Sequence, residues 1–166
     1  TVSQTDHSQG NADADLEIVE YADYQCPACG AAYPFVKKLT DTYKKNLNFV
    51  FRNFPLAQSH QYATAAAIAT EAAAKQDKFW EMHDAIYENQ ESLDEEFLNK
   101  LAEKLNLDIE KFKTDIKTPE LAEKVKKDFE SGIESGVNGT PTFFVNGEKF
   151  DGGAENLLQL IQENSK

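Results

Sequence analysis

Leu16-Glu17-Ile18-Val19-Glu20-Tyr21-Ala22-Asp23-Tyr24-Gln25-Cys26-Pro27-Ala28-Cys29 is the stretch that decides how this chain folds. Its first seven residues form a short apolar and β-branched run suited to a buried strand. The cysteine pair follows at once. Pro27 favours a helix start there, because the first turn of a helix leaves its N–H groups unbonded and proline has none to lose. Ala31–Lys45 then places Tyr33, Val36, Leu39 and Tyr43 at helical spacing. Pro34 inside this run predicts a kinked helix rather than two separate ones.

Working outward, Leu47–Phe54 (Leu-Asn-Phe-Val-Phe-Arg-Asn-Phe) has strand chemistry and alternation, and Pro55 closes it. Strand, helix, strand implies a parallel pair joined by a right-handed crossover. From Ser59 to about Lys117 the pattern turns helical. Ala63–Ala74 is alanine-rich. Asp77 is expected to cap a helix carrying Phe79, Trp80, Ile86 and Tyr87, and Asp94 one carrying Phe97, Leu98, Leu101 and Leu105. Asp108–Ile116 offers a short fourth. Thr118-Pro119 starts a further helix, with Leu121, Val125, Phe129 and Ile133 as its apolar stripe and Gly136 as terminator. Gly139–Phe150 reads as two strands around Asn146-Gly147, a strong hairpin signal. Ala154–Asn164 ends the chain as a helix, with Leu157, Leu158 and Ile161 inward. There is no internal repeat and no low-complexity linker.

The fold class expected is α/β, with residues 1–57 and 118–166 forming one discontinuous domain and residues 58–117 an inserted all-helical lobe. A chain of 166 residues can bury a real core, so neither a metal nor a disulfide is needed merely to fold it. Acidic residues outnumber basic ones 29 to 17, a formal charge of −12 that reads as a self-repelling, soluble surface. Nothing resembles a basic nucleic-acid footprint or a polybasic membrane patch. No apolar stretch approaches the roughly 20 residues that span a bilayer. Thr1–Asp15 is polar, without the charged and apolar regions of a signal peptide. The chain starts with Thr, so a signal peptide or lipid anchor is expected to be missing from it.

Two cysteines separated by Pro27 and Ala28 are the only ones present. A structural bridge across so short a loop would add on the order of 2 kcal/mol, little for that purpose. Zinc and iron–sulfur sites use the same spacing but need more ligands. Only His7, His60 and His83 remain, and no two form a recognised ligand pair. No Asp-rich loop has calcium-ligand spacing. The pair reads instead as a redox couple. A thiolate is the attacking species in disulfide exchange, and a cysteine between a strand end and a helix mouth meets unpaired N–H groups that favour negative charge. Cys26 is therefore the expected exposed nucleophile, and Cys29, one turn inside, the resolving partner. His60 and His83 are expected to be surface or packing residues of the helical lobe, and Phe79, Trp80 and Tyr87 core. On local grounds Pro141 is an ordinary strand-entry proline.

Three separated motifs occur in one order: Val19–Cys29, Phe51-Arg52-Asn53-Phe54-Pro55-Leu56, and Gly139-Thr140-Pro141-Thr142-Phe143-Phe144-Val145-Asn146-Gly147. Together they resemble DsbA-like thiol–disulfide oxidoreductases, a thioredoxin-like fold with a helical insertion, over nearly everything from Asp13 to Asn164. The resemblance implies that Cys26 is the nucleophile and Cys29 the resolving cysteine. It implies a cis Pro141 packed on the cysteines, with Thr140 presenting backbone to an extended substrate beside Pro27 and Ala28. Glu20 matches a buried acid that assists proton transfer near Cys29. Its own residues leave a second reading open, a strand glutamate facing water, although Ile18 and Glu20 share a parity. Asn138-Gly139-Thr140 fits a glycosylation sequon, but a glycan there would obstruct the implied site. The sequence departs from the best-known strongly oxidising member at Ala28, where that protein has histidine, so a less extreme oxidant is expected.

The function these readings support is exchange of a Cys26–Cys29 disulfide with dithiols of unfolded or partly folded exported proteins, in the disulfide-introducing direction. A redox partner would recycle the cysteines, in an extracytoplasmic compartment such as a periplasm or cell envelope. No organic cofactor and no metal is required. A reductase or isomerase of the same fold is the alternative; a copper- or zinc-binding module and a non-enzymatic interaction domain are more distant ones.

Overall fold

The computed structural model describes residues 2–164. Two strands read from the sequence form the centre of the molecule: β2 (Leu16–Ala22) and β3 (Leu47–Asn53) pair in parallel, Ile18 beside Phe49 and Glu20 beside Phe51. The intervening helix α1 (Pro27–Thr42) runs through Pro34 as one element. All seven residues of β3 are buried, so the alternation in its sequence separates two covered faces rather than core from water.

The rest of the sheet differs from expectation at one edge. His7–Gly10 forms a strand, β1, antiparallel to β3, where Thr1–Asp15 reads only as a polar opening. Its pairing comes from backbone bonds and polar side chains: His7 contacts Glu71 at 2.9 Å, and Asp6, just before it, accepts two hydrogen bonds from Arg52. Hydrophobic periodicity carries no such signal. At the other edge β4 (Thr142–Val145) pairs antiparallel with β2, and a two-residue turn leads to β5 (Glu148–Lys149), for an order β1-β3-β2-β4-β5. Asn146 and Gly147 both take positive φ, as a tight hairpin of this length requires. The Asn146 side chain accepts from the Glu17 backbone and docks the hairpin on β2.

Helices cover both sheet faces. After β3 come α2 (Ala63–Ala74), α3 (Phe79–Glu88), α4 (Glu95–Lys104) and α5 (Ile109–Asp115). Their apolar sides join Ile18, Phe49, Phe51 and Phe143 of the sheet, α1, and α7 (Ala154–Asn164) in one core. α6 (Pro119–Glu134) lies over the opposite face, where Val19, Tyr21, Val50 and Phe54 meet Phe129. Gly132 lets it approach: a Cβ there would stand 2.6 Å from the Phe54 ring.

Asp94 and Asp108 cap their helices through bonds to the N–H groups of Phe97 and Lys111. Asp77 does not cap. It adopts φ +60 in the turn after α2, and α3 begins two residues later with Lys78 before it and no side-chain cap. Thr118 occupies the N-cap position of α6 but turns its hydroxyl back to the Asp115 carbonyl. Ile133, expected on the buried stripe of α6, is 55% exposed, because the buried line of the helix runs through Leu121, Val125, Asp128 and Gly132 and turns the next residue outward. Gly136 ends α6 at φ +88 as expected.

Candidate active site

β2 ends at Ala22 and the chain crosses four residues to reach α1, so the N-terminus of α1 opens where the central strand stops. Cys26 is the N-cap residue and Pro27 the first helical one. The sulfur thus stands where the N–H groups of the first turn lack backbone partners. Both cysteines are free thiols and both are largely covered: Cys26 is 7% exposed and Cys29 1%. The expected exposed nucleophile is therefore only the more accessible of two shielded sulfurs.

Electrostatics separate the pair far more than exposure does. A hydrogen bond from the Cys29 thiol, with donors from the Thr140 side chain and the backbone N–H groups of Cys29 and Ala28, lowers the Cys26 thiol to about 5 against the opposing effect of burial. The Cys26 sulfur also lies 3.7 Å from the Thr140 carbonyl, a contact that favours the protonated thiol, but the converging donors outweigh it. Cys29 is pushed strongly upward, first by burial, then by donating to Cys26 and by the negative charge of Glu20.

Glu20 occupies the sheet face shared by Ile18 and Ala22, between Phe51 of β3 and Phe143 of β4. It is 4% exposed, and burial raises its carboxyl to about 8. The water-facing alternative for Glu20 does not hold.

The Thr140–Pro141 peptide bond is cis, and the segment ends against Cys26 just before β4. Pro27 and Ala28 lie in the same first turn of α1 as the cysteines. The five positions singled out around the two sulfurs, Glu20, Pro27, Ala28, Thr140 and Pro141, therefore converge from β2, α1 and the loop before β4. Among the described residues, no group of three or more His, Cys, Asp or Glu side chains is arranged to hold a metal ion.

Sequence reasoning missed the residues that hold the loop before Cys26. The Asp23 carboxylate is buried and accepts from the backbone N–H groups of Gln25 and Leu56, with His60 Nδ1 at 2.6 Å. Gln25 accepts from the Tyr62 backbone. Gln90 donates to the carbonyls of Tyr24 and Cys26. An aspartate at the end of an apolar run was the one local signal, since such a charge needs buried partners. His83 is fully packed within α3, ringed by Phe51, Tyr24, Trp80 and Tyr87. His60 is partly buried and belongs to the Asp23 brace rather than to the surface.

Comparison with known proteins fits this geometry. The family model described as thioredoxin matches residues 2–163. The chain is 42% identical over 147 residues to the Na(+)/H(+) antiporter NhaA 3 of Salinispora tropica, and 38% over 149 residues to NhaA of Herminiimonas arsenicoxydans. These matches take in 89% and 90% of the chain but only 22% and 24% of the antiporters' length. A thioredoxin-like oxidoreductase from Silicibacter pomeroyi superposes with TM-score 0.82 at 26% identity, covering 98% of this chain and 94% of that one. Oxidised BdbD from Bacillus subtilis gives TM-score 0.81 at 26% identity, covering 96% and 92%. At 22% identity, alpha-DsbA1 from Wolbachia pipientis shares the fold, with TM-score 0.85 and coverage of 98% and 92%. The chain belongs to the thioredoxin family and has the fold seen in DsbA-like thiol–disulfide oxidoreductases.

Proposed function

We propose that this chain oxidises dithiols in exported, unfolded or partly folded proteins by passing them its Cys26–Cys29 disulfide. The observation that carries the proposal is the split between the two thiols: Cys26 is lowered to about 5 while its partner is pushed up. Stabilising one thiolate of the dithiol form favours that form, which makes the disulfide an oxidant.

The reaction takes two exchanges. A substrate thiolate attacks the Cys26 sulfur, forming a mixed disulfide and releasing Cys29 as the leaving group. Cys29 takes a proton, and in this reading Glu20, buried and protonated below about pH 8, supplies it. The second substrate thiolate then attacks the substrate sulfur of the mixed disulfide and releases Cys26 as a stabilised thiolate. The substrate loses two electrons and gains a disulfide; the protein gains them as a dithiol. Thr140 and the cis Pro141 offer an extended substrate a backbone edge beside the sulfur, a mode that tolerates many sequences. Recycling needs a separate oxidant, and the whole cycle belongs in an extracytoplasmic compartment. The pair needs no organic cofactor or metal, since the disulfide itself carries both electrons.

Incubating the oxidised chain with a reduced, unfolded protein whose native form carries disulfides tests this. Stoichiometric transfer of disulfide, abolished by Cys26→Ser, is the expected result. Failure to oxidise, with ready reduction of preformed disulfides by the dithiol form, would reverse the assigned direction.

A further inference from the structure

Gln90 stands 64 residues from Cys26 in sequence, in a short 3-10 turn between α3 and α4, yet its side chain reaches the active-site loop. The amide nitrogen donates to the Tyr24 carbonyl at 2.9 Å and to the Cys26 carbonyl at 2.8 Å. One planar group thus grips the loop on both sides of Gln25. The Cys26 carbonyl also accepts from Gly30 N–H at 3.1 Å, the bond that closes the first turn of α1. Gly30 gives the amide its room: a Cβ at position 30 would fall 2.1 Å from Gln90 Oε1 and 2.8 Å from its Cδ.

We propose that Gln90 is a positioning residue for Cys26, a clamp from the helical segment that pins the Tyr24–Cys26 loop to the mouth of α1, with Gly30 kept bare to admit it. The inference rests on the redox reading of the site. Bonds from the Ala28 and Cys29 N–H groups to a sulfur weaken steeply when distance or angle drifts. These are bonds to a charged acceptor, the strong kind, so their loss is felt at the thiolate. Gln90 also neutralises the negative ends of two carbonyl dipoles that lie beside that charge. Removing the amide therefore acts in one direction through both routes, against the thiolate.

The test uses the full reduced chain with Gln90→Ala, Gly30→Ala and the pair combined. Three readouts are the pH profile of Cys26 alkylation, the equilibrium with glutathione at pH 7, and thermal unfolding. Gln90→Ala is expected to shift the alkylation midpoint upward and to lower the ratio of reduced to oxidised protein at equilibrium by about three- to tenfold, half to one unit of pKa. Gly30→Ala, by expelling the amide, should give a shift of the same sign alone and none in the Gln90→Ala background, the signature of one shared interaction. A wild-type alkylation profile in Gln90→Ala overturns the inference, as does a loss of stability without that shift, or strict additivity of the two substitutions. Gln90→Glu keeps the shape without the donors and should shift the midpoint further upward; a wild-type profile there also overturns the clamp. Failure of the wild-type pair to cycle with glutathione would sink the redox reading separately, because alkylation reads the clamp without any cycling.

Discussion

Lowering the Cys26 thiol to about 5, from 9.0 for an unperturbed thiol, has a consequence that can be followed with pH alone. Reducing the disulfide above pH 5 leaves Cys26 as a thiolate, so the protein takes up one proton. The two glutathione thiols consumed release two. The equilibrium constant for reduction by glutathione should therefore rise about tenfold per pH unit between 5 and 7 and be flat below 5. The sign follows from a depressed value: the stabilisation is absent below the lowered pKa, grows above it, and is complete only above the unperturbed one. At pH 7 the reduced form gains up to about a hundredfold, or about 59 mV at 29.6 mV per tenfold. Solvent screening at the mouth of the site trims this figure. Glu20, at about 8, stays protonated throughout the window and leaves the slope alone. Graded glutathione buffers at pH 4, 5, 6 and 7, quenched in acid and read by thiol trapping, give the constant directly. A constant that does not change from pH 4 to 7 would refute the assignment of Cys26 as the stabilised thiolate.

Three other perturbations follow. Ala28→His places a positive donor in the first turn of α1 and should raise the reduction potential; an unchanged or lower value would refute the idea that Ala28 makes this chain the milder oxidant. Glu20→Gln removes a buried acid whose raised value makes it cost nothing below about 4.5 and progressively more as pH rises toward 8. The variant should match the wild type in urea unfolding at pH 4 and exceed it by about 3 kcal/mol at pH 7, and a gap that does not grow with pH would count against a protonated Glu20. Gly132→Ala would gain about 1 kcal/mol of helix propensity but drives a methyl into the Phe54 ring, itself stacked on Phe129 at 4.4 Å. Net destabilisation of about 1–3 kcal/mol is expected from thermal unfolding, whereas a more stable variant would show that α6 has room to move off the sheet.

The parts legible in the sequence were those governed by local rules. β2, α1 and β3 announce themselves by apolar runs and a well-placed proline, the β4–β5 turn by Asn146-Gly147, and α4 by Asp94 at its cap. The misses share a different origin. β1 is an edge strand held by Arg52, Asp6, His7 and Glu71, and its four residues carry no hydrophobic pattern. Asp77 looks like a cap but is used for its tolerance of positive φ. Ile133 has an apolar side chain at helical spacing, but the face of α6 that packs on the sheet runs through Val125, Asp128 and Gly132, where a polar residue and a glycine hide it from a hydrophobic pattern. At the site, Cys26 and Cys29 were evident from their spacing, but Asp23, His60 and Gln90 act through backbone groups many residues away. Long-range hydrogen bonds of that kind leave no period and no motif.

The most direct test of the central claim is the equilibrium of the Cys26–Cys29 disulfide with glutathione at pH 7. Reversible cycling at a potential well above the roughly −270 mV of thioredoxin is the predicted result. A potential at or below that value, or a pair that does not cycle, would contradict the account.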